Sequence, residues 1–326
     1  MEGRDSDQIS FWNSALLTAT TKNSNKRYNW SPIISLRVFI IMSDEYLWFK
    51  GTPFPSAYIK SETIQKVHDK IVFKDEDVLA VTYPKSGSTW VAVILALINS
   101  KGDPKWIQTV PILEQSPLIE SEPGYELING KERPQVIRSH LPFHLSPKSL
   151  FSSKVKVIYV IRNPRDVLVS GFYFWNAIKG AKTAKSLEQY FEWFIQGYVP
   201  WGSWFEHVRG WMSMRERENF FVLSYEELQK DIRGTTQKIC QFLGKSLEPE
   251  ALDLVAKYSS FQSMKENKMS NFSMLHHVIL DPDFLLTRKG ISGDWKNHFT
   301  VAQAEAFDKV YQEKMLGFPS GLFPWE

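Results

Sequence analysis

Short apolar runs alternate with longer amphipathic stretches from Met42 to the end of the chain. Strands that alternate with helices in this way form a parallel sheet that helices cover on both faces. The pattern therefore predicts an α/β fold, a central and mostly parallel sheet flanked by helices, in a single domain over residues 42–326. Continuous apolar runs place its buried strands at Val78–Thr82, Gln135–Ser139, Val155–Ile161 and Phe220–Leu223.

The first 41 residues do not share this pattern. They are rich in Ser, Thr and Asn, so we expect residues 1–41 to be a disordered extension or the product of an upstream start. The apolar run at residues 32–41 is too short to span a bilayer, and Arg37 interrupts it. Neither a membrane anchor nor a signal peptide is expected from this segment.

The segment Thr82–Trp90 carries the clearest chemical signal. It joins the first predicted strand to the apolar run Val91–Ile98, which is typical of a buried helix. A turn with glycine, lysine and hydroxyl groups before a helix binds anions, because unpaired N–H groups and the positive end of the helix dipole point at the ligand. The segment therefore predicts a site for a phosphate-like group.

A polar side chain also follows each of the other predicted strands. His140, Arg162 and Tyr225 come after the second, third and fourth strands. Because parallel strands end at one edge of a sheet, these residues and Lys85 are predicted to meet in one crevice.

Each of these residues also has a purely structural alternative. Lys85 fits an ordinary strand-to-helix turn, and His140 fits a loop. Arg162 is near enough in sequence to pair with Asp166, and Ser170 is small enough to be a helix-packing residue. The predicted convergence at one sheet edge favours the functional interpretation.

The spacing of the basic residues indicates which kind of anion is bound. The P-loop of nucleoside triphosphatases ends in Gly-Lys-Ser/Thr, whereas here Lys85 precedes Gly87. Arg162, and not an acidic metal ligand, follows the third strand, so no metal is expected. A further basic element, Arg288–Gly290, lies far along the chain. Two separated basic sites favour a nucleotide with phosphates at both ends of its ribose.

Composition limits the remaining choices. Lys and Arg total 39 against 36 Asp and Glu, and the formal net charge of +3 argues against nucleic acid as a partner. Cys240 is the single cysteine and cannot form an internal disulfide, which fits a reducing compartment and predicts a cytoplasmic protein.

Three motifs in this order resemble the cytosolic sulfotransferases: Tyr83–Trp90, Arg162–Asp166 with Ser170, and Arg288–Gly290. The resemblance runs from Met42 to Glu326 and is closest to the hydroxysteroid and bile-salt branch. It implies a P-loop-like sulfotransferase fold. It also implies an enzyme that transfers the sulfonate group of 3'-phosphoadenosine 5'-phosphosulfate (PAPS) to a hydrophobic alcohol, a hydroxysteroid or bile acid.

The resemblance further implies roles for individual residues. His140 would act as a neutral general base, and Lys85 would neutralise charge on the leaving oxygen. The 5'-phosphosulfate would be held by Lys85, Ser86, Gly87, Ser88, Thr89 and Trp90. The 3'-phosphate would be held by Arg162, Ser170, Arg288, Lys289 and Gly290. The adenine side would be lined by Tyr225, Ser259, Ser260, Phe261, Gln262, Ser263 and Met264.

The acceptor pocket is less defined. Each of several aromatic residues belongs either to the apolar wall of this pocket or to the core: Trp48, Phe54, Phe172, Phe174 and Trp175. In addition, Leu113 and Leu118 stand where close relatives often carry Trp, so the preferred substrate and hydroxyl stay open.

The segment Lys296–Glu305 is similar to the short dimer motif of this family, Lys-x-x-x-Thr-Val-x-x-x-Glu, and this implies a homodimer. Alternatively, Thr300 is the N-cap of a helix, and both interpretations can hold.

Two other functions are consistent with parts of the chain. A P-loop-like kinase would need magnesium and ATP, and the position of Arg162 argues against it. A non-catalytic binder of steroids or nucleotide is argued against by the presence of both His140 and Lys85.

Overall fold

A computed structural model describes residues 46–130, 135–273, 280, 284 and 286–326. The predicted extension, residues 1–41, lies outside the described residues. The strands are β1 Tyr46–Phe49, β2 Thr52–Pro55, β3 Val78–Thr82, β4 Val136–Ser139, β5 Lys156–Ile161 and β6 Phe220–Ser224. The helices are α1 Ser61–Lys70, α2 Ser88–Asn99, α3 Lys105–Thr109, α4 Ile112–Gln115, α5 Glu122–Asn129, α6 Pro164–Asn176, α7 Leu187–Gln196, α8 Trp204–Met212, α9 Tyr225–Lys230, α10 Ile232–Leu243, α11 Pro249–Tyr258, α12 Phe261–Glu266 and α13 Val301–Lys314. Short 3₁₀ helices cover Phe143–Leu145, Lys148–Phe151 and Asp294–Asn297.

The central sheet is parallel, with the strand order β4-β3-β5-β6. Val78 of β3 pairs with Val136 of β4 on one side and with Lys156 of β5 on the other. Each predicted strand agrees with the observed one to within a residue at either end. Because β3 lies between β4 and β5, the loop after β3 lies between the residues that follow those two strands.

Both faces of this sheet are buried, which explains why its strands read as continuous apolar runs. Leu79 and Val81 of β3 pack into one apolar cluster, whereas Val78 and Ala80 pack into the cluster on the other face. Seven of the 12 residues of α2 are buried, so this helix is apolar nearly all round, as predicted. The buried sheet and α2 form a fixed base for the loop that joins them.

An antiparallel hairpin of β1 and β2 stands apart from the central sheet. Sequence reasoning did not predict it, because each strand has only four residues and β2 contains two prolines. Among the described helices, none combines the length and the apolar character needed to cross a membrane.

Candidate active site

The loop after β3 turns sharply into α2. Gly87, the N-cap residue of α2, has φ of 102° and ψ of 22°, a left-handed conformation that favours glycine. Space also limits this position, because a Cβ atom there would lie 3.0 Å from the Tyr225 ring. α2 has no side-chain cap in the described part of the chain, so the N–H groups of its first turn are available to an anion.

Three buried polar atoms around this loop have no hydrogen-bond partner among the described residues. They are Ser86 Oγ, Trp90 Nε1 and Arg162 Nε. Buried polar groups are usually hydrogen-bonded to protein or to ordered water, so an unsatisfied group calls for an explanation. Their clustering beside a helix N-terminus therefore fits the binding of an anionic nucleotide.

Lys85 and Arg162 bring positive charge to the same loop. Arg162 Nη1 donates to the Lys85 carbonyl oxygen at 3.0 Å, and its guanidinium lies 4.1 Å from the centre of the Tyr225 ring. Lys85 Nζ lies 3.7 Å from the centre of the Phe174 ring. Burial, with the charges of Arg162 and Arg288, lowers the pKa of Lys85 to about 7. An anionic ligand would stabilise the charged form of Lys85.

The second basic element, Arg288 and Lys289, is oriented by Asp294. This carboxylate accepts hydrogen bonds from Arg288 Nη2 at 2.6 Å and from Lys289 Nζ at 2.7 Å. Burial tends to raise the pKa of Asp294, but the hydrogen bonds from Lys289 and Arg288 hold it well below its usual range. Two cations are thereby kept at the edge of the cavity described below.

Asp166 of α6 connects this basic loop to the helix that follows Arg162. It accepts the backbone N–H groups of Gly293 at 2.7 Å and Trp295 at 3.0 Å. Gln229 of α9 makes two further hydrogen bonds to the backbone of the loop, at 2.7 and 2.9 Å. Asp166 therefore holds backbone amides and, within the described chain, makes no ion pair with Arg162, so the structural alternative for Arg162 is not realised.

His140 follows β4 and is half-buried beside the loop after β3. Its Nδ1 lies 2.8 Å from the carbonyl oxygen and 2.9 Å from the hydroxyl oxygen of Thr82. Because a carbonyl oxygen only accepts, Nδ1 carries the proton and Nε2 is left as the unprotonated nitrogen. Burial, with the charges of Arg138 and Lys85, lowers the pKa of His140 to about 4, although the Thr82 hydrogen bond raises it. The ring is therefore neutral at pH 7.

Glu120 lies beneath His140 and was not predicted from the sequence. It is fully buried and accepts the His140 backbone N–H at 2.7 Å and Trp201 Nε1–H at 3.1 Å. The Ser139 hydroxyl donates to its second oxygen at 3.2 Å. Burial raises the pKa of Glu120 to about 7, although these hydrogen bonds lower it. The Glu120 carboxyl group thus fixes the position of the backbone at His140, where the chain leaves β4.

A cavity of about 320 Å³ joins these elements. Most of the predicted site residues line it: Lys85, Gly87, Ser88, Thr89, Trp90, His140, Arg162, Ser170, Tyr225, Phe261, Met264, Arg288, Lys289 and Gly290. Ser86 is buried beneath the loop. Ser259, Ser260, Gln262 and Ser263 are not among the residues that line the cavity, and Ser260 instead caps α12. A role of these four residues in cofactor binding stays a prediction.

Apolar side chains from distant segments form much of the remaining wall: Pro55, Tyr58, Ile59, Leu113, Leu118, Phe174, Trp175, Ile178, Trp201 and Phe272. Of the aromatic residues with two interpretations, Phe174 and Trp175 line the cavity. Phe54 lies in the core and Phe172 packs against it. Trp48 is 53% exposed and belongs to neither group.

Sequence reasoning missed Tyr58, Ile178, Trp201 and Arg138 as lining residues. The first three stand in no motif, and only the folded chain brings them together. Arg138 did leave a signal, because a cation inside the apolar run Gln135–Ser139 is unusual in a buried strand.

The fold and the site together define an α/β protein whose cavity combines separated basic groups, a neutral histidine and an apolar pocket. Within the described residues, no group of three or more His, Cys, Asp or Glu side chains is placed to hold a metal ion.

Comparison with known proteins identifies the family. Residues 75–319 match the sulfotransferase domain family. Sulfotransferase 2A1 of Macaca fascicularis is 63% identical over 285 residues, which cover 87% of this chain and all of that protein. Sulfotransferase 2A1 of Homo sapiens is 61% identical with the same coverage. The 3-beta-hydroxysteroid sulfotransferase of Cavia porcellus is 60% identical and covers 87% of this chain and 99% of its own length. The chain belongs to the sulfotransferase family.

Solved structures agree with this assignment. A mouse sulfotransferase complexed with PAP (adenosine 3',5'-bisphosphate) is 28% identical to this chain and has a TM-score of 0.71. The match covers 84% of this chain and 96% of the mouse chain. A retinol dehydratase complex has a TM-score of 0.76 at 20% identity over 86% of this chain and 91% of its own, so it supports the fold alone. The predicted family and fold are thus confirmed, and sulfonate transfer is favoured over the kinase and non-catalytic alternatives.

Proposed function

We propose that this chain transfers the sulfonate group of PAPS to the hydroxyl of a hydrophobic alcohol, a hydroxysteroid or bile acid. The products are a sulfate ester and adenosine 3',5'-bisphosphate (PAP). Family membership supports the reaction class. Relatives about 60% identical are named as hydroxysteroid sulfotransferases, which supports the acceptor class. The observation that carries the proposal is the unprotonated His140 Nε2 in the cavity that also contains the Lys85 loop.

One end of the cavity suits the nucleotide; we call Lys85–Trp90, Arg162, Ser170 and Arg288–Gly290 the nucleotide end. The α2 N-terminus and Lys85 would hold the 5'-phosphosulfate. Arg162, Ser170 and the Arg288 loop would hold the 3'-phosphate, for which the planar guanidinium groups are well shaped. The cations and the unpaired Ser86 and Trp90 groups support this fit. PAPS supplies the activated sulfonate group when it is bound.

His140 acts as the general base. The Thr82 carbonyl holds the Nδ1 proton, so Nε2 is the nitrogen that accepts the proton of the acceptor hydroxyl. An alcohol is too weakly acidic to attack unaided at pH 7, and a neutral imidazole is ready to take its proton. The lowered pKa of His140, about 4, keeps the base unprotonated over the physiological range.

Lys85 acts at the opposite side of the transferred group. Its ammonium stabilises negative charge that develops on the leaving oxygen, as in other in-line displacements. In the cavity its pKa is lowered to about 7 by burial and by Arg162 and Arg288, and nearby anionic charge restores the protonated form.

The acceptor end of the cavity, formed by Tyr58, Leu113, Leu118, Trp175 and Ile178, is apolar. Such a wall excludes water and binds a flat hydrophobic frame while one polar group reaches His140. The small Leu113 and Leu118 side chains widen this end.

The dimer and the location are also proposals. A homodimer through Lys296–Glu305 is supported by the family motif. Thr300 also caps α13 with a complete capping box, so the second interpretation of this segment holds as well.

A cytoplasmic location is supported by the single cysteine of the chain.

The test is a metal-free assay with labelled PAPS against steroids, bile acids and phenols, with EDTA present throughout. Wild-type protein is expected to sulfonate steroid or bile-acid alcohols. His140→Ala should lower kcat by about 10²- to 10⁴-fold while the Kd for PAP, measured by calorimetry, stays the same.

The matched control is His144→Ala, which removes an exposed histidine from the same segment. It should keep wild-type kcat. Absence of transfer to every acceptor would refute the proposed function, and near-normal turnover by His140→Ala would refute the role of His140.

A further inference from the structure

Trp201 has an unusual backbone conformation for a bulky residue. It lies in the loop between α7 and α8, and its φ of 66° is in the left-handed region that favours glycine. Such a conformation costs free energy, and residues strained in this way cluster at functional sites. Trp201 is only 5% exposed and lines the cavity. The strain therefore points to a role for its indole in the site.

Two hydrogen bonds hold the backbone of this loop. Trp201 N–H donates to the Pro53 carbonyl oxygen of β2 at 2.8 Å. The Tyr83 hydroxyl donates to the Gly202 carbonyl oxygen at 2.6 Å. Tyr83 directly follows Thr82, whose carbonyl oxygen accepts from His140 Nδ1. The loop that carries Trp201 is thus tied to the same end of β3 as the His140 side chain.

The indole of Trp201 and the backbone of His140 share one oxygen of Glu120. Trp201 Nε1–H donates to Glu120 Oε1 at 3.1 Å, and His140 N–H donates to the same oxygen at 2.7 Å. Burial raises the pKa of Glu120 to about 7, and hydrogen bonds from His140, Ser139 and Trp201 work in the opposite direction. The indole N–H therefore helps to keep Glu120 in its charged form, which only accepts hydrogen bonds.

The ring of Trp201 also contacts the imidazole of His140. The two ring centres lie 5.6 Å apart and the ring planes are at 79°, an edge-to-face arrangement. The indole packs in addition against Trp175 and Phe54, with ring centres 5.8 Å apart in each case. An indole held by these neighbours restricts rotation of the His140 ring. Because Thr82 also holds Nδ1, the imidazole is confined to one orientation.

We propose that Trp201 is a positioning residue for His140. Its indole N–H fixes the Glu120 oxygen that holds the His140 backbone, and its ring keeps His140 Nε2 aligned with the acceptor hydroxyl. The inference rests on the proposed function, in which His140 is the general base. A small displacement of a general base slows proton transfer, and it leaves binding of the nucleotide unchanged.

The test uses two substitutions that separate the N–H group from packing. Trp201→Phe keeps a large apolar ring without the N–H group, whereas Trp201→His has a smaller ring that places an N–H group at the position of indole Nε1. We expect Trp201→Phe to lower kcat about tenfold and Trp201→His to stay within about threefold of the wild type. The Kd for PAP should be unchanged in both. A side chain that only fills space would give the reverse order, because phenylalanine is closer to tryptophan in size and polarity.

A direct contact between Trp201 and the acceptor is distinguished by measuring kcat with a steroid alcohol and with a compact phenol. The positioning role predicts the same fold loss for both acceptors in Trp201→Phe. A loss confined to the steroid would overturn the proposal, because Trp201 would then act on the acceptor. The matched control is Tyr198→Phe, which removes a polar group from an exposed aromatic residue of the same loop and should keep wild-type kcat.

The fold of each variant is checked by circular dichroism. If only one variant folds, it is compared with the wild type. A tenfold loss in Trp201→Phe or near-normal kcat in Trp201→His supports the proposal, and the opposite result overturns it. Failure of both variants to fold would also overturn it, because Trp201 would then be needed for the fold itself. Absence of transfer by the wild type to every acceptor would instead overturn the proposed function, on which this role depends.

Discussion

The nucleotide end and the acceptor end of the cavity are built in different ways. The nucleotide end consists mainly of short segments that directly follow β3 and β5, together with Ser170 of α6 and the loop Arg288–Gly290, and it relies on backbone conformation, as at Gly87 with φ of 102°. The acceptor end consists of single side chains from segments far apart in the chain, such as Tyr58, Leu118 and Ile178. The nucleotide end therefore depends on the backbone conformation of a few residues. The acceptor end depends on the shape that many side chains form together, and each of these can be replaced by another of similar size. Substitutions at the two ends should therefore have separable effects on PAP and on the acceptor.

Gly87→Ala should produce the largest loss at the nucleotide end. Alanine is strained in the left-handed conformation, and its Cβ would lie 3.0 Å from the Tyr225 ring. We expect the Kd for PAP, measured by calorimetry, to rise by about 10- to 100-fold.

The control for this variant is Gly51→Ala, at a glycine that also has positive φ but no atom within 4 Å of an added Cβ. It shares the backbone strain and lies outside the cavity, so it should leave the Kd for PAP unchanged. Unaltered PAP binding by Gly87→Ala would show that the nucleotide end does not depend on this turn.

The pH dependence of PAP binding tests the charge at the same end. Lys85 has a lowered pKa of about 7, so it is mostly protonated at pH 6.5 and mostly neutral at pH 8.5. A phosphate ligand favours the protonated form, so binding takes up a proton and becomes weaker as the pH rises through this range. We expect the Kd for PAP to rise by about tenfold between pH 6.5 and 8.5.

Lys85→Arg is the matched variant, since arginine stays charged throughout this range. Its Kd for PAP should vary much less with pH than that of the wild type. A wild-type profile as flat as that of the variant would mean that Lys85 is already fully charged in the free protein.

The contrast between the two ends also explains which site residues could be predicted from the sequence and which could not. The four sheet strands and α2 are apolar runs of clear length, and Lys85, His140 and Arg162 follow those strands directly, so sheet topology alone brings them together. Trp201 and Ile178 reach the cavity only through the packing of α6 and the loop before α8, which no local pattern encodes. The hairpin β1–β2 was missed for a related reason, because its short strands and prolines give no strand signal.

Glu120→Gln tests the support of His140, the proposed general base, whose place in the cavity is between the two ends. A glutamine side chain has one accepting oxygen, and its amide N–H₂ group would meet the donors of His140, Trp201 or Ser139. A small displacement of His140 should lower kcat by about fivefold without changing the Kd for PAP. Equal losses in kcat and PAP binding would instead indicate general destabilisation of β4.

Leu118→Trp should have the smallest effect, because it fills space at the acceptor end and touches no catalytic group. Leu118 lines the cavity beside Arg138, so a larger ring narrows the slot for a rigid steroid frame. We expect KM for a steroid acceptor to rise by about threefold, with a smaller change for a compact phenol and none in the Kd for PAP. Leu254→Trp, at a residue of α11 that is 37% exposed and outside the cavity, should change none of these values. A change in PAP affinity caused by Leu118→Trp would mean that the two ends are coupled, and the separation argued from their construction would then be wrong.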